Sequence, residues 1–197
     1  MVSPPPILKP ADQDPGPAFE RAVRLILQVE AGYVDDPHDA GGPTNRGVSL
    51  RAVRLRDVDR DGRLDFDLDH DGDVDAEDIK LISEAEARQL LLEDYWRPVK
   101  AELFPDAIAI ALVDAAVLQG PRTAVALLQR ALGVGADGIV GHLTKAAAWN
   151  TPRAQVLAAF AEQRLRRMWQ APSRDTHFLG WAVRVARLTA GLLAKES

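Results

Sequence analysis

The sequence predicts a mainly α fold carrying one acidic insertion, on the strength of three observations. Apolar residues recur at helical spacing through most of the chain, as in Phe19, Ala22, Val23 and Ile26. Helix punctuation is frequent: a capping box at Ser83-Glu84-Ala85-Glu86, Gly120 followed by Pro121, and Thr151-Pro152. Between residues 57 and 78 the helical pattern gives way to carboxylates on alternate positions. No segment alternates as a long strand.

Taken in order, residues 1–16 read as a Pro-rich arm that opens Met-Val-Ser-Pro-Pro-Pro-Ile-Leu-Lys-Pro. It has no basic stretch followed by an apolar one, so no signal peptide is expected. A first helix is predicted from Pro17 to Ala31. The loop Gly32 to Ser49 is rich in Gly, Pro, Asp and Asn, with room for a small hairpin. A short helical stretch, Leu50 to Leu55, leads into the acidic insertion at 56–80. The capping box at Ser83 opens a helix through Trp96, and Pro98 follows. Asp106 is read as the cap of an apolar helix to Leu118, closed by Gly120. Pro121 opens the next helix, which ends at Gly133. The turn Gly135-Ala136-Asp137-Gly138 leads to a helix over Leu143 to Trp149. Thr151 and Pro152 start a long helix to Gln170, and Asp175 or Thr176 starts the last, through Lys195.

The chain has 197 residues, enough for one domain with a core of its own and an insertion. With no Cys it carries no disulfide and no thiol chemistry. No apolar run reaches membrane-spanning length, so no stable membrane anchor is expected. The net charge of −5 is unevenly spread. Residues 57–78 hold ten Asp and one Glu against two Arg, a local −9, and the rest is +4. A mildly basic body suits an anionic polymer but is too weak to imply nucleic acid.

So many carboxylates so close together repel one another unless a cation sits among them. Calcium takes six to eight oxygens, and a loop with acids at positions 1, 3 and 5, Gly at 6 and an acid at 12 wraps around it. From Asp67 the set is complete: Asp67, Asp69, Asp71, Gly72, the Asp73 carbonyl, Asp75 and Asp78. From Asp57 it runs Asp57, Asp59, Asp61, Gly62, the Arg63 carbonyl and Asp65, with Leu68 where the last acid belongs. One calcium is therefore expected at 67–78 and a second, weaker one at 57–68. Leu64 and Val74 fill the apolar eighth position. Loops ten residues apart are tighter than paired EF-hands and resemble dockerin-like and thrombospondin-type calcium segments. A solvated acidic loop is the competing reading.

Projected at 100° per residue, Glu30 falls in the apolar stripe of the first helix, over Phe19, Val23 and Ile26. A carboxyl there has its pKa raised by burial, as a general acid requires. Position alone equally allows a helix-terminal Glu that pairs with an Arg or reaches water. The following loop offers Asp35, Asp36, Asp39, Thr44 and Asn45, and for Asp35 and Asp36 turn chemistry is the simpler reading. Two carboxyls flanking a cleft, one neutral and one charged, is the arrangement that breaks glycosidic bonds.

The run from Val29-Glu30-Ala31-Gly32-Tyr33 through Asp39-Ala40-Gly41-Gly42-Pro43-Thr44-Asn45-Arg46-Gly47-Val48 resembles the N-terminal signature of the glycoside hydrolase 108 family. That family comprises lysozyme-like N-acetylmuramidases of phages, prophages and bacterial secretion systems. Ser83 to Pro98, with Tyr95-Trp96, is similar to its second helix. Asp114-Ala115-Ala116-Val117 and Leu128-Gln129-Arg130-Ala131-Leu132-Gly133 are similar to its middle. Asp137-Gly138-Ile139-Val140-Gly141-His142-Leu143-Thr144 and Gly180-Trp181 resemble its peptidoglycan-binding part.

The resemblance implies a lysozyme-like muramidase domain over 17–197, with 106–195 as a helical peptidoglycan-binding-like half. It makes Glu30 the catalytic acid, cleaving the bond between N-acetylmuramic acid and N-acetylglucosamine without a catalytic cofactor. Asp39 is similarly placed to the second acid of the wider lysozyme group, and Thr44 to a residue that holds a water. Tyr33, Asn45, Tyr95 and Trp96 are the expected sugar contacts, and Trp149, Trp169 and Trp181 are expected in the core. Leu118 departs from the Asn usual after the Asp-Ala-Ala-Val run. Asp114, in an apolar helix, is expected to be a structural hydrogen-bond hub.

The expected partners are peptidoglycan and calcium, with the protein monomeric. It would be made in the cytoplasm without a signal peptide and act in the periplasm or on the wall after release or secretion. The alternative is a non-catalytic peptidoglycan binder or phage-like structural protein on the same fold.

Overall fold

The structure is a computed structural model and describes residues 15–29, 32–35, 41–58 and 60–194. Expectations for the arm up to Asp14 and for Glu30, Asp36, Asp39 and Asp59 lie outside the described residues. The described chain is mainly α, as predicted, with one two-stranded sheet. It divides into two compact units. Helix α1 (Pro17–Val29) contributes to both, up to Ala22 to the second and from Val23 to the first.

The first unit runs on through Leu91. Val34 and Thr44 bridge antiparallel, each amide donating to the other's carbonyl at 2.8 Å. Strands β1 (Thr44–Asn45) and β2 (Val48–Ser49) then pair, Thr44 opposite Ser49 and Asn45 opposite Val48. The turn between them, Arg46-Gly47, has φ of 50° and 76°. Positive φ at both central residues matches the type I′ turn, whose twist suits a two-residue hairpin.

Helix α2 (Leu50–Val53) follows at once, and its first amides donate to the Pro43 and Gly41 carbonyls. After the acidic loops come α3 (Ala76–Leu81) and α4 (Glu84–Leu90). Each opens with a reciprocal capping box, Asp75 with Asp78 and Ser83 with Glu86. The Ser83 box is the predicted one; α3 is additional. The unit's core gathers Val48, Val53, Phe66, Val74, Ile79, Ile82, Ala87 and Leu90. Phe66, Val74 and Ile79 come from the acidic segment itself, and Leu64 and Leu68 pack beside them.

The helix opened at Ser83 does reach Trp96, but its last stretch, Leu91–Trp96, is π-helical. The Arg97 amide closes it by donating five residues back, to Leu92. The second unit then comprises a 3₁₀ turn (Ala101–Leu103), α5 (Asp106–Gln119), α6 (Pro121–Ala131), α7 (His142–Asn150), α8 (Arg153–Trp169) and α9 (Arg174–Ala194). Helix α5 is apolar on every face and buried from Ala107 to Ala116. Such a helix needs cover all round, and α6, α8 and α9 pack against it. Asp106 is the first helical residue rather than its cap, because Pro105 holds the cap position. Gly120, at φ 82°, ends α5 and starts α6, with Pro121 first inside.

Candidate functional site

The hairpin carries Thr44 and Asn45, and the two point to different tasks. The Thr44 hydroxyl donates to the Gly42 carbonyl at 3.2 Å, which leaves its oxygen lone pairs for a water. Asn45 is buried, and its Nδ2 donates to the carbonyls of Ile79 at 2.9 Å and Lys80 at 3.2 Å. Expected to touch sugar, it instead binds the hairpin to α3. Tyr33 is exposed, its hydroxyl donating to Asp35 at 3.3 Å, with the Lys80 ammonium 5.2 Å from its ring centre. Desolvation first, and the Asp35 carboxylate next, raise the Tyr33 pKa.

The acidic loops repeat one backbone design. Gly62 N–H donates to Asp57 Oδ2, and Gly72 N–H to Asp67 Oδ2, both at 3.1 Å. Arg63 N–H donates to Asp61, and Asp73 N–H to Asp71. Left-handed backbone falls at Arg60 and His70 and again at Gly62 and Gly72, the same places in each loop. In the second loop oxygens of Asp67, Asp69 and Asp71 lie within 4.8 Å of one another, as do those of Asp73, Asp75 and Asp78.

Asp78 is 1% exposed. Its Oδ1 accepts from the Leu68 and Asp69 amides at 2.6 and 3.2 Å, and its Oδ2 from Asp75 at 2.8 Å. The neighbouring charges leave a mark. The Asp71 carboxylate above all pushes the Asp73 pKa up, and desolvation does the same at Asp69.

The first loop differs at two points. Asp65 faces Arg56 at 3.4 Å and accepts from Val58, so a cation already stands beside it. Asp57 Oδ1 is buried and has no donor among the described residues. An anionic oxygen in that position wants a cation, so the first loop too has a donor atom suited to a metal.

Tyr95 and Trp96 belong to the second unit. Tyr95 is half-buried on the π-helical turn. Trp96 is 2% exposed and meets Phe19 edge-to-face at 5.2 Å, so it has no face to offer a sugar. The other tryptophans correct the sequence reading the opposite way. Trp149 is 62% exposed, anchored by its indole N–H to the Leu103 carbonyl. Trp169 is also exposed, between Phe178 and Arg174.

The Asp137-to-Thr144 motif folds around a residue the sequence reading gave no role. Gln129 is buried, and its Nε2 shares its hydrogens among Asp137, the Ile139 carbonyl and Thr144 at 2.8–3.1 Å. Its Oε1 accepts from Gly138 at 2.8 Å. The Gln129 bond and the Ile139 amide hold the Asp137 pKa below its usual value. A recess of about 430 Å³ opens there, lined by Val134, Ile139, His142 and Leu143 among others.

Among solved structures the chain is similar to SagA of Brucella abortus, at 28% identity and a TM-score of 0.76. The likeness covers 91% of this chain and 97% of that one. No curated protein matches. Residues 23–120, which hold the hairpin, the acidic loops and α5, match the model of the family described as Glycosyl hydrolase 108.

Proposed function

We propose that the chain is a peptidoglycan hydrolase of the glycosyl hydrolase 108 family. In this reading it cleaves the bond from N-acetylmuramic acid to N-acetylglucosamine as an N-acetylmuramidase. The family match over 23–120 carries the reading, since it spans Glu30, Asp39 and Thr44 together. Glu30 protonates the leaving oxygen, Asp39 steadies positive charge at the sugar carbon or orients water, and Thr44 helps hold that water. Tyr33 and Tyr95 offer aromatic surface to the sugars. The protein works as a monomer on the wall, and no helix among the described residues is long and apolar enough to cross a membrane.

Calcium belongs to the same reading. Asp67, Asp69, Asp71, the Asp73 carbonyl, Asp75 and Asp78 would hold one ion. Asp57, Asp59, Asp61, the Arg63 carbonyl and Asp65 would hold a weaker one, opposed by Arg56. Support comes from the repeated loop geometry, the donor-less Asp57 oxygen and the acid-on-acid pKa shifts. The ion would supply positive charge that lets these carboxylates stay ionised side by side. Calcium at a hundredfold excess over its Kd stabilises by about 2.7 kcal/mol.

The test is reducing-sugar release from purified peptidoglycan by wild type and Glu30→Gln, each with calcium and with chelator. The expected result is a loss of about a hundredfold or more in Glu30→Gln with circular dichroism unchanged. Chelation should lower the melting temperature. A wild type that pellets with the wall but releases no sugar replaces the hydrolase reading with a binding module. A melting temperature blind to chelation removes calcium from it.

A further inference from the structure

The connection between the acidic segment and the hairpin has a consequence for catalysis. In the hydrolase reading Glu30, Asp39 and Thr44 act together, and Thr44 opens the hairpin. Three things tie the hairpin down. Within the loop, Thr44 pairs with Val34 through two backbone bonds of 2.8 Å. At the turn, Arg46 and Gly47 fix the register. To the rest of the unit, Asn45 donates to Ile79 and Lys80, 34 and 35 residues further on. Lys80 also stands against the Tyr33 ring at the other end of the loop.

Ile79 and Lys80 are the residues that follow Asp78 in α3. Asp78 is the buried carboxylate that gathers the Leu68, Asp69 and Asp75 amides. The order of contacts is therefore unbroken: acidic loop, Asp78, the carbonyls of the next two residues, Asn45, Thr44. The amide of Asn45 is buried, and losing its donors would leave two carbonyls short of partners.

We infer that Asn45 is a positioning residue that locks the hairpin bearing Thr44 to the acidic segment, so that the segment's order sets turnover rather than wall affinity. The inference rests on the hydrolase reading. It assigns Asn45 no contact with substrate.

The test compares full-length wild type, Asn45→Asp and Asn45→Ala for reducing-sugar release and for pelleting with insoluble peptidoglycan. Asn45→Asp keeps the shape and removes the donors. Asn45→Ala covers the case in which a carboxylate facing two carbonyls unfolds the unit. The expected result is kcat lower by about tenfold or more, with KM and pelleting within about twofold of wild type. A risen KM at unchanged kcat would make Asn45 a sugar ligand and overturn the inference, as would wild-type turnover in either folded variant. Loss of the fold in both variants also overturns it, for Asn45 is then a stability residue alone. Absence of sugar release by wild type is a separate outcome, which removes the hydrolase reading and this inference with it.

Discussion

Replacing Asp114 by Ala tests the energetics of the second unit most severely. Asp114 is 3% exposed in the middle of α5. Arg164 of α8, itself 2% exposed, donates to its Oδ2 at 2.6 Å, and Arg184 of α9 donates to its Oδ1 at 2.9 Å. One buried carboxylate thus holds three helices together against two guanidinium groups. Without it both guanidinium groups lose the carboxylate they share, and that of Arg164 is left deep in the interior. Breaking a buried pair from one side costs about 3–5 kcal/mol, most of it the penalty on the charge left behind. For a chain of this size that is a fall in melting temperature of about 6–20 °C. Tryptophan fluorescence is the assay, because Trp96, Trp149, Trp169 and Trp181 all lie in this unit. Adding Arg164→Met to Asp114→Ala should restore part of the loss, since it removes one stranded charge. A loss below about 1 kcal/mol in Asp114→Ala, or no recovery in the double variant, refutes the reasoning.

Two further outcomes concern the Gln129 motif. Gly138→Ala places a Cβ 2.6 Å from Arg122 Cγ and 2.8 Å from the Arg122 carbonyl at φ +75°. The backbone atom cannot move aside, so destabilisation of about 1–3 kcal/mol is expected in urea unfolding; an Ala variant as stable as wild type contradicts this. The Gln129 side chain first, and the Ile139 amide next, hold the Asp137 carboxyl below the usual carboxylate range. A lowered carboxylate contributes stability that is present above the unfolded pKa and is lost as pH falls through the folded one. Asp137→Asn should therefore flatten the acid limb of the unfolding curve below about pH 4 and leave its shape near neutrality alone.

Where a signal was local, the sequence expressed it. The Ser83 box, Gly120-Pro121 and the apolar run of α5 each place a helix within a residue or two of where it lies. The hairpin was readable only as a hint, because its register depends on left-handed backbone at Arg46 as well as Gly47. Helix α3 was missed although Asp75 and Asp78 stand three apart, as Ser83 and Glu86 do. Reading both as metal ligands hid their capping pattern. Long-range partners left no trace in the sequence. Asp114 announced a buried acid, but its arginines lie 50 and 70 residues away. Composition ranks Trp as a core residue, yet Trp149 and Trp169 sit outside while Trp96 fills the interior. Periodicity says that a helix has an apolar face, not how far neighbouring helices extend to cover it.

The acidic segment looked like an insertion into a domain complete without it, and its packing says otherwise. Phe66, Val74 and Ile79 are buried beside Val48 of the hairpin, Val53 of α2, and Ala87 and Leu90 of α4. Each buried side chain of that kind is worth about 1.5–3 kcal/mol, so the three together contribute about 5–9 kcal/mol. A whole domain is stable by only about 5–15 kcal/mol. Replacing residues 56–80 by a Gly-Ser linker should therefore unfold the first unit while the tryptophan-bearing unit keeps its fluorescence. Limited proteolysis distinguishes the two, with cleavage expected on both sides of the linker. A shortened chain that resists protease between residues 41 and 91 would show that the segment is an appendage. The physical point is that one stretch performs two tasks on alternate residues. Asp61, Asp69, Asp71, Asp73 and Asp75 face outward, and Phe66, Val74 and Ile79 between and beside them build the floor on which the hairpin rests.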